Sequence, residues 1–194
     1  NALKSTYEVP VLLKMGDNVS TDEILKAGAE VLPFRSNIPE ISKFSYSVID
    51  ETFYDRALLT KEKYGGHIVV AGENYAQGSS REHAAIAPKY LGQVAVIAKD
   101  YARIAWQNLI NFGILPLEFE NPQNYNDIEQ GALIEFKNLR EDIMNKHRIR
   151  VKVKNKNNTM EILTKQSLSD RQIALLLKGG VINDFKEKLT SSKS

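Results

Sequence analysis

The chain has 194 residues, of which 42% are hydrophobic and 26% charged, a composition typical of one globular domain with an extension. Its net charge of +2 is too small to indicate a nucleic-acid or membrane partner by itself, and no apolar run approaches the roughly 20 residues of a membrane span. The absence of cysteine excludes disulfides, a thiolate nucleophile and cysteine ligands for zinc or an iron–sulfur cluster on this chain.

The sequence predicts one central domain with loose ends. Residues 1–7 are predicted as a disordered or vector-derived N-terminus, residues 8–187 as the domain, and residues 188–194 as a frayed C-terminal tail. The chain begins with Asn1 and not with Met, which indicates a processed chain or an expressed fragment. No signal peptide is visible, so we expect a cytoplasmic protein.

Strands and helices alternate along the first two thirds of the chain. The predicted strands are residues 9–15, 67–71, 94–98 and 114–119, and the predicted helices are residues 52–64, 84–88 and 101–111. Gly65 and Gly113 provide helix stops. This alternation predicts an α/β fold, in which ligand-binding loops lie at the carboxyl ends of the strands.

After residue 121 the pattern changes to short strands in which polar and apolar residues alternate. The predicted strands are residues 132–136, 148–154 and 160–163. A capping box formed by Ser169 and Gln172 then predicts a helix from Asp170 to Lys178.

One of these strands carries a row of four cations on one face. The row consists of Arg148, Arg150, Lys152 and Lys154. It could follow the phosphates of RNA. A solvated strand face that resists aggregation is the commoner arrangement, and we favour it here.

The loop after strand 67–71 has the clearest chemical signal, Gly-Glu-Asn-Tyr-Ala-Gln-Gly-Ser-Ser-Arg-Glu-His-Ala at residues 72–84. It leads from a strand into a helix, where free backbone N–H groups and the helix dipole attract anions. Ser79, Ser80 and Arg81 add hydroxyls and a guanidinium, which suit a carboxylate or phosphate. A helix cap at either serine is the alternative, and the loop lacks the Gly-Lys-Ser/Thr of a nucleotide-binding P-loop.

A second polar segment, Gly-Asp-Asn-Val-Ser-Thr-Asp-Glu-Ile at residues 16–24, follows the first predicted strand. It combines a turn signal with a short helical turn that begins at Thr21, so local physics alone makes Ser20 and Asp22 turn and cap residues. Arg35 lies farther along, between two prolines in an apolar loop, where a surface arginine is the default interpretation.

Residues 16–24 and residues 72–84 both resemble signature sequences of the aconitase swivel domain. The small subunits of isopropylmalate isomerase carry a string very similar to the second. The resemblance covers about residues 8–187 and implies a swivelling β/β/α domain of three layers with a mixed sheet. It also implies that the chain is one part of an aconitase (aconitate hydratase).

The resemblance implies roles for four side chains in the interconversion of citrate and isocitrate through cis-aconitate. Ser79 matches the base, which as an alkoxide removes a proton from a carbon next to a carboxylate. Ser80 and Arg81 match positions that bind substrate carboxylates. Arg35 resembles an arginine that provides a second carboxylate contact.

Thr21 and Asp22 match a pair that enters the active site, where the Asp hydrogen-bonds a catalytic histidine from another domain. Many family members have a serine near the substrate three residues later. Leu25 stands there in this chain, so it is assigned no role. Arg103 is interpreted as a structural ion-pair partner and His83 as a packing or capping residue.

The resemblance also implies a cofactor and partners. The [4Fe–4S] cluster of the family is held by three cysteines of other domains, so we expect the partner domains to carry it and this chain to be inactive alone. A tricarboxylic acid is the expected substrate, and no membrane partner is expected. Two alternatives stay open: a small subunit of isopropylmalate isomerase or homoaconitase, and an RNA- or anion-binding module. The segment around Arg35 favours the aconitase branch, because isopropylmalate isomerase small subunits typically lack it.

Overall fold

The computed structural model of the chain describes residues 2–192, and seven strands in this range form one closed barrel. The strands are β1 (Tyr7–Lys14), β2 (His67–Ala71), β3 (Gln93–Ala98), β4 (Leu115–Phe119), β5 (Leu133–Phe136), β6 (Ile149–Lys154) and β7 (Thr159–Lys165). Around the barrel they follow the order β1-β2-β3-β4-β7-β6-β5.

Helices connect and cover these strands. They are α1 (Thr21–Ile24), α2 (Ile38–Ile41), α3 (Phe53–Tyr64), α4 (His83–Tyr90), α5 (Arg103–Asn111), α6 (Leu139–Met144), α7 (Asp170–Lys178) and α8 (Val181–Ser191). Short 3₁₀ turns lie at Leu32–Phe34, Ser42–Phe44 and Pro122–Asp127. The helix stop at Gly65 is confirmed, since this glycine is the C-cap residue of α3 and adopts the left-handed conformation.

The four strands β1 to β4 are parallel neighbours whose connections contain α3, α4 and α5. Every residue of β2 and β3 is buried, because alternate side chains enter two different cores. In β2, Ile68 and Val70 join the core shared with β5, β6 and β7. Val69 and Ala71 join the core shared with α1, α3 and α4. The predicted α/β alternation is therefore confirmed.

The strands β5, β6 and β7 pair antiparallel and close the sheet at both sides. β7 pairs with β4 at Glu118 and Phe119, and β5 pairs with β1 from Tyr7 to Pro10. The mixed sheet implied by the resemblance is confirmed. The closure of the sheet into a barrel was not predicted. It depends on the pairing of Tyr7 with Phe136, and no local sequence pattern indicates a pairing between residues so far apart in the chain.

Three predicted ends differ from the structure. α4 begins at His83 and continues through Pro88 to Tyr90, so the helix does not stop at the proline. Leu3 is buried within the barrel core, and β1 begins at Tyr7, so both lie inside the range 1–7 that was predicted as the N-terminal extension. α8 continues to Ser191, where a frayed tail was expected from residue 188. Residues 1, 193 and 194 lie outside the described residues.

The cationic row lies on the outer surface of the barrel, where acidic side chains alternate with it. Arg148 Nε lies 2.8 Å from Glu120 Oε1, and Lys154 Nζ lies 3.0 Å from Glu135 Oε2. Lys152 is in register with Glu135 on one side and with Glu161 on the other. Neutralisation of this kind weakens the case for a phosphate track and fits a solvated strand face.

Candidate active site

The two polar segments meet at the carboxyl ends of the parallel strands β1 and β2. Thr21 N donates to Gln77 O at 2.9 Å, and Gln77 N donates to Val19 O at 3.0 Å. These backbone bonds hold the start of α1 against the loop that follows β2. The sequence-based placement of a ligand loop at this edge of the sheet fits the geometry.

A cavity of about 220 Å³ opens between this loop and the first turn of α5. We call it the Ser79 cavity. One part of its lining comes from the predicted site residues Thr21, Ser79, Ser80 and Arg81. The other part comes from α5 and the residue before it, and consists of Ala102, Arg103, Ile104, Ala105, Asn108 and Leu109. The structure therefore brings four of the six predicted side chains to one cavity.

Neither serine caps the helix that follows. α4 begins at His83 with Glu82 as its N-cap residue, and no side chain accepts a hydrogen bond at that cap. Gly78 adopts a φ of 110°, which turns the chain so that both serines are exposed at the cavity. The capping alternative for Ser79 and Ser80 is therefore wrong.

Ser80 has one hydrogen-bond partner across the cavity. Asn108 Nδ2 of α5 donates to Ser80 Oγ at 3.2 Å. The bond leaves the hydroxyl proton of Ser80 available, since a serine oxygen both accepts and donates. Asn108 was not identified as a site residue from the sequence, because its contact depends on the packing of α5 against the loop.

Arg81 is fixed by two contacts. Its guanidinium forms an ion pair with the Asp22 carboxylate, and its Nη1 donates to Leu25 O at 3.2 Å. Asp22 is mostly exposed, whereas Arg81 is half-buried. Leu25 thus contributes through its backbone carbonyl, a role that no side-chain pattern could have predicted.

The position of Asp22 depends on a capping box at the start of α1. Ser20 Oγ accepts from Glu23 N at 3.2 Å, and Glu23 Oε2 accepts from Ser20 N at 2.7 Å. This reciprocal cap holds a four-residue helix that would not form alone. It buries Thr21 and directs Asp22 toward Arg81.

Arg35 is not part of the Ser79 cavity. It lines a neighbouring cavity of about 320 Å³, which also includes Leu25, Arg81 and His83. His83 Nε2 lies 2.8 Å from Arg35 O, so the histidine tethers the Arg35 loop to α4. Arg81 is the one predicted site residue that lines both cavities.

Arg103 differs from its interpretation as an ion-pair partner. Among the described residues it has no salt bridge, and it is exposed at the lining of the Ser79 cavity. The predicted helix started at residue 101, so the sequence did not place Arg103 at the helix start beside the cavity.

A buried polar group lies behind the cavity. Tyr75 lines the cavity, and its hydroxyl lies 2.7 Å from the hydroxyl of Tyr46, which donates to Gln93 Oε1 at 3.0 Å. Burial raises the pKa of Tyr46 to about 12 and lowers the pKa of the nearby His67 to about 3. His67 is fully buried, and neither ring nitrogen has a hydrogen-bond partner among the described residues.

The residues of this chain do not fit an iron–sulfur cluster. The chain has no cysteine, and within residues 2–192 no three His, Asp or Glu side chains come together as metal ligands could. The cavity instead presents hydroxyls and guanidinium groups, which bind anions. No helix in the described range combines the length and apolar character that crossing a membrane requires.

Comparison with known proteins identifies the family. The family described as Aconitase C-terminal domain matches residues 23–122. The methanogen homoaconitase small subunit of Methanocaldococcus jannaschii is 38% identical, over 93% of this chain and 92% of that protein. The mitochondrial aconitate hydratase of Gracilaria gracilis is 33% identical over 94% of this chain, which spans only 26% of that enzyme.

A solved structure agrees with these sequence matches. The crystal structure of 3-isopropylmalate dehydratase (LeuD) from Methanocaldococcus jannaschii superposes with a TM-score of 0.72 at 33% identity, over 97% of this chain and 98% of that one. The domain thus occurs both as a small protein of nearly equal length and as part of a longer enzyme. The chain belongs to the aconitase family, as a representative of its C-terminal domain.

Proposed function

We propose that this chain is the small subunit of an aconitase-family hydro-lyase, which removes and returns water on a hydroxy acid with two or three carboxylates. The observation that carries the proposal is the shared cavity of Ser79, Ser80, Arg81 and Thr21 at the carboxyl ends of β1 and β2. The homoaconitase small subunit is 38% identical to this chain and the Gracilaria aconitate hydratase 33%, and this difference supports the small-subunit proposal. The partner would be a cluster-bearing subunit.

The dehydration needs a base that removes a proton from the carbon next to a carboxylate, while a hydroxyl leaves the neighbouring carbon. Ser79 Oγ is proposed as that base. A free serine hydroxyl is a very weak acid, so the site must stabilise the alkoxide. The guanidinium of Arg81 supplies a nearby positive charge.

The substrate carboxylate is proposed to bind Arg81 and Ser80. Arg81 is held by Asp22 and by Leu25 O, so its planar group is oriented before the substrate arrives. Ser80 can donate its hydroxyl proton while its oxygen accepts from Asn108. Asp22 keeps the proposed second role of orienting a partner histidine, and Thr21 supports the loop. The cluster implied by the family is assigned to the partner, because this chain lacks its ligands.

An aconitate hydratase domain is the second candidate, and one observation favours it. The chain aligns over 94% of its length with the Gracilaria aconitate hydratase. In that case the sequence is a C-terminal piece of a longer enzyme, and the Arg35 loop provides the second carboxylate contact. Both candidates use Ser79, Ser80 and Arg81, and they differ in whether the cluster-bearing part lies on a separate polypeptide or on the same one.

The experiment is a hydratase assay of the chain with its cluster-bearing partner, using citrate, homocitrate and isopropylmalate as substrates. We expect Ser79→Ala to abolish turnover. Ser167→Ala, which alters an exposed serine outside the cavity lining, should leave turnover unchanged. The chain alone should be inactive. Full turnover by the Ser79→Ala complex would overturn the assignment of the base. An active complex formed from two separately expressed chains supports the small-subunit proposal over the long-chain candidate.

A further inference from the structure

The first turn of α5 forms a cationic wall of the Ser79 cavity. Ala102, Arg103, Ile104 and Ala105 all line the cavity, and Arg103 carries the only positive charge of this wall. The other guanidinium that lines the cavity is that of Arg81. A substrate in the cavity therefore lies between two arginines that come from different elements.

The two arginines differ in the protein contacts of their guanidinium groups. Arg81 is already paired with Asp22 and bonded to Leu25 O. Arg103 has no ion pair or side-chain hydrogen bond to any residue of the described range, and its side chain is exposed. An unpaired guanidinium can form a bidentate bond with an incoming carboxylate without first breaking a protein contact.

The start of α5 lacks the side chains that usually stabilise the start of a helix, and it is suited to binding an anion. Ala102 is the N-cap residue and provides no side-chain acceptor, and no acidic residue lies in the first turn. Its first N–H groups are therefore without an intrahelical partner, as at every helix start. The positive charge of Arg103 at this position interacts unfavourably with the helix dipole. An anion bound beside Arg103 would accept hydrogen bonds from the free N–H groups and would neutralise that charge.

We propose that Arg103 binds the third carboxylate of the substrate and makes this chain selective for tricarboxylates. The proposal rests on the proposed function and specifies its substrate class. Aconitate and homoaconitate carry three carboxylates, whereas isopropylmalate has two carboxylates and an apolar isopropyl group. A free guanidinium favours the third carboxylate, because it can form charge-assisted hydrogen bonds with a carboxylate and none with an isopropyl group.

The test compares substrates that differ in the third group. The complex of this chain with its cluster-bearing partner is assayed with cis-aconitate, cis-homoaconitate and isopropylmalate, for the wild type and for Arg103→Ala, Arg103→Met and Arg103→Lys. Loss of a hydrogen bond to a charged group corresponds to about a 10- to 150-fold change. We expect Arg103→Ala and Arg103→Met to lower kcat/KM for the tricarboxylates by that factor, mainly through KM. Arg103→Lys should lose less, and turnover of isopropylmalate should not fall.

Two control variants accompany the assay. Arg150→Ala removes an exposed arginine from the outer face of β6 and should change no substrate. Arg35→Ala tests the neighbouring cavity, since a tricarboxylate-selective loss there and not at Arg103 would overturn the proposal. Elution with the partner and the midpoint of thermal unfolding show that each variant is folded and assembled. Arg103→Met keeps most of the side-chain volume if the alanine variant is unstable.

The remaining outcomes separate this proposal from the proposed function. A wild-type complex that turns over only isopropylmalate would overturn the tricarboxylate proposal and leave the hydro-lyase function standing. Equal losses on all substrates would show that Arg103 supports the structure only. If the assembled wild type turns over none of the substrates, the proposed function itself fails, and the Arg103 proposal fails with it.

Discussion

The Asp22 carboxylate forms an ion pair with the Arg81 guanidinium, and this pair joins the two sequence motifs of the site. Asp22 follows β1, and Arg81 follows β2. An ion pair with a largely exposed carboxylate adds little to stability. Its effect is to hold a carboxylate-binding group in one orientation, which matters for a reaction that depends on positioning.

Arg81→Lys should reduce turnover strongly without unfolding the chain. A lysine retains the charge but presents a single ammonium, which cannot replace the planar fork that contacts Asp22, Leu25 O and the substrate. We expect kcat/KM of the assembled enzyme to fall about 100-fold or more, by analogy with lost charge-assisted hydrogen bonds. Steady-state hydratase kinetics measure this, with Arg171→Lys on α7 as the control. Wild-type kinetics in Arg81→Lys would refute the carboxylate-binding role.

Asp22→Asn should impair catalysis more than stability. The substitution keeps the shape of the side chain but removes the charge that orients Arg81. We expect the free energy of unfolding to change by less than about 1 kcal/mol, as for other exposed pairs, and kcat to fall about tenfold or more through misplacement of reacting groups. Urea unfolding and kinetics on the same preparation give both values. Asp55→Asn, an exposed acid on α3, should leave kcat unchanged, and an unaltered kcat in Asp22→Asn would show that Arg81 needs no partner.

Acid should destabilise the fold through His67. Burial, together with the charge of Arg56, lowers its pKa in the folded state to about 3, whereas the unfolded chain titrates at the ordinary histidine value near 6.5. Between those values the unfolded state binds more protons, so stability due to this group is complete above about pH 6.5 and falls as the pH decreases toward 3. Each pH unit in that window removes up to about 1.4 kcal/mol.

Urea midpoints at pH 7, 6, 5 and 4 test this assignment. In His67→Gln the decline between pH 7 and 5 should become shallower. His147→Gln is the matched control, because His147 is exposed and its Nδ1 lies 3.6 Å from Asp142 Oδ1. An identical pH dependence in the wild type and His67→Gln would show that other groups cause the acid sensitivity.

Gly113→Ala should destabilise the fold by more than the cost of a left-handed backbone conformation alone. Gly113 has a φ of 77°, and a Cβ atom there would lie 2.5 Å from Gly179 O, a backbone atom that cannot move aside cheaply. Gly131→Ala is the matched control, since Gly131 has a φ of 91° but open space around its Cα. We expect about 1 to 2 kcal/mol of destabilisation at Gly131 from left-handed strain. A greater loss at Gly113, measured by urea unfolding, would confirm the close approach, and equal losses would contradict it.

Short sequence patterns predicted most helices and strands correctly, because helix caps and apolar runs lie within the elements that they specify. The capping box of Ser169 and Gln172 starts α7, and the continuous apolar runs of β2 and β3 are buried on both faces. The loop of Ser79 to Arg81 was identified from its residue types and its position after a strand, and it does lie at a cavity.

The remaining features depend on packing between distant segments. Barrel closure needs β1 beside β5, and the Asn108–Ser80 bond needs α5 against the loop. Arg103 was assigned to an ion pair because an arginine in a helix usually finds an acid, and its exposed position at the cavity became visible only in three dimensions. The cytoplasmic location stays a prediction.

The closed barrel also limits how the chain can be shortened. The family match covers residues 23–122, which contain β2, β3 and β4 but neither β1 nor the antiparallel strands. A protein trimmed to that range would lose Asp22 and would leave β2 and β4 as two open edges, each a template for pairing with another molecule. The minimal unit with no open sheet edge therefore extends well beyond the segment that defines the family, from the first strand of the barrel to the last.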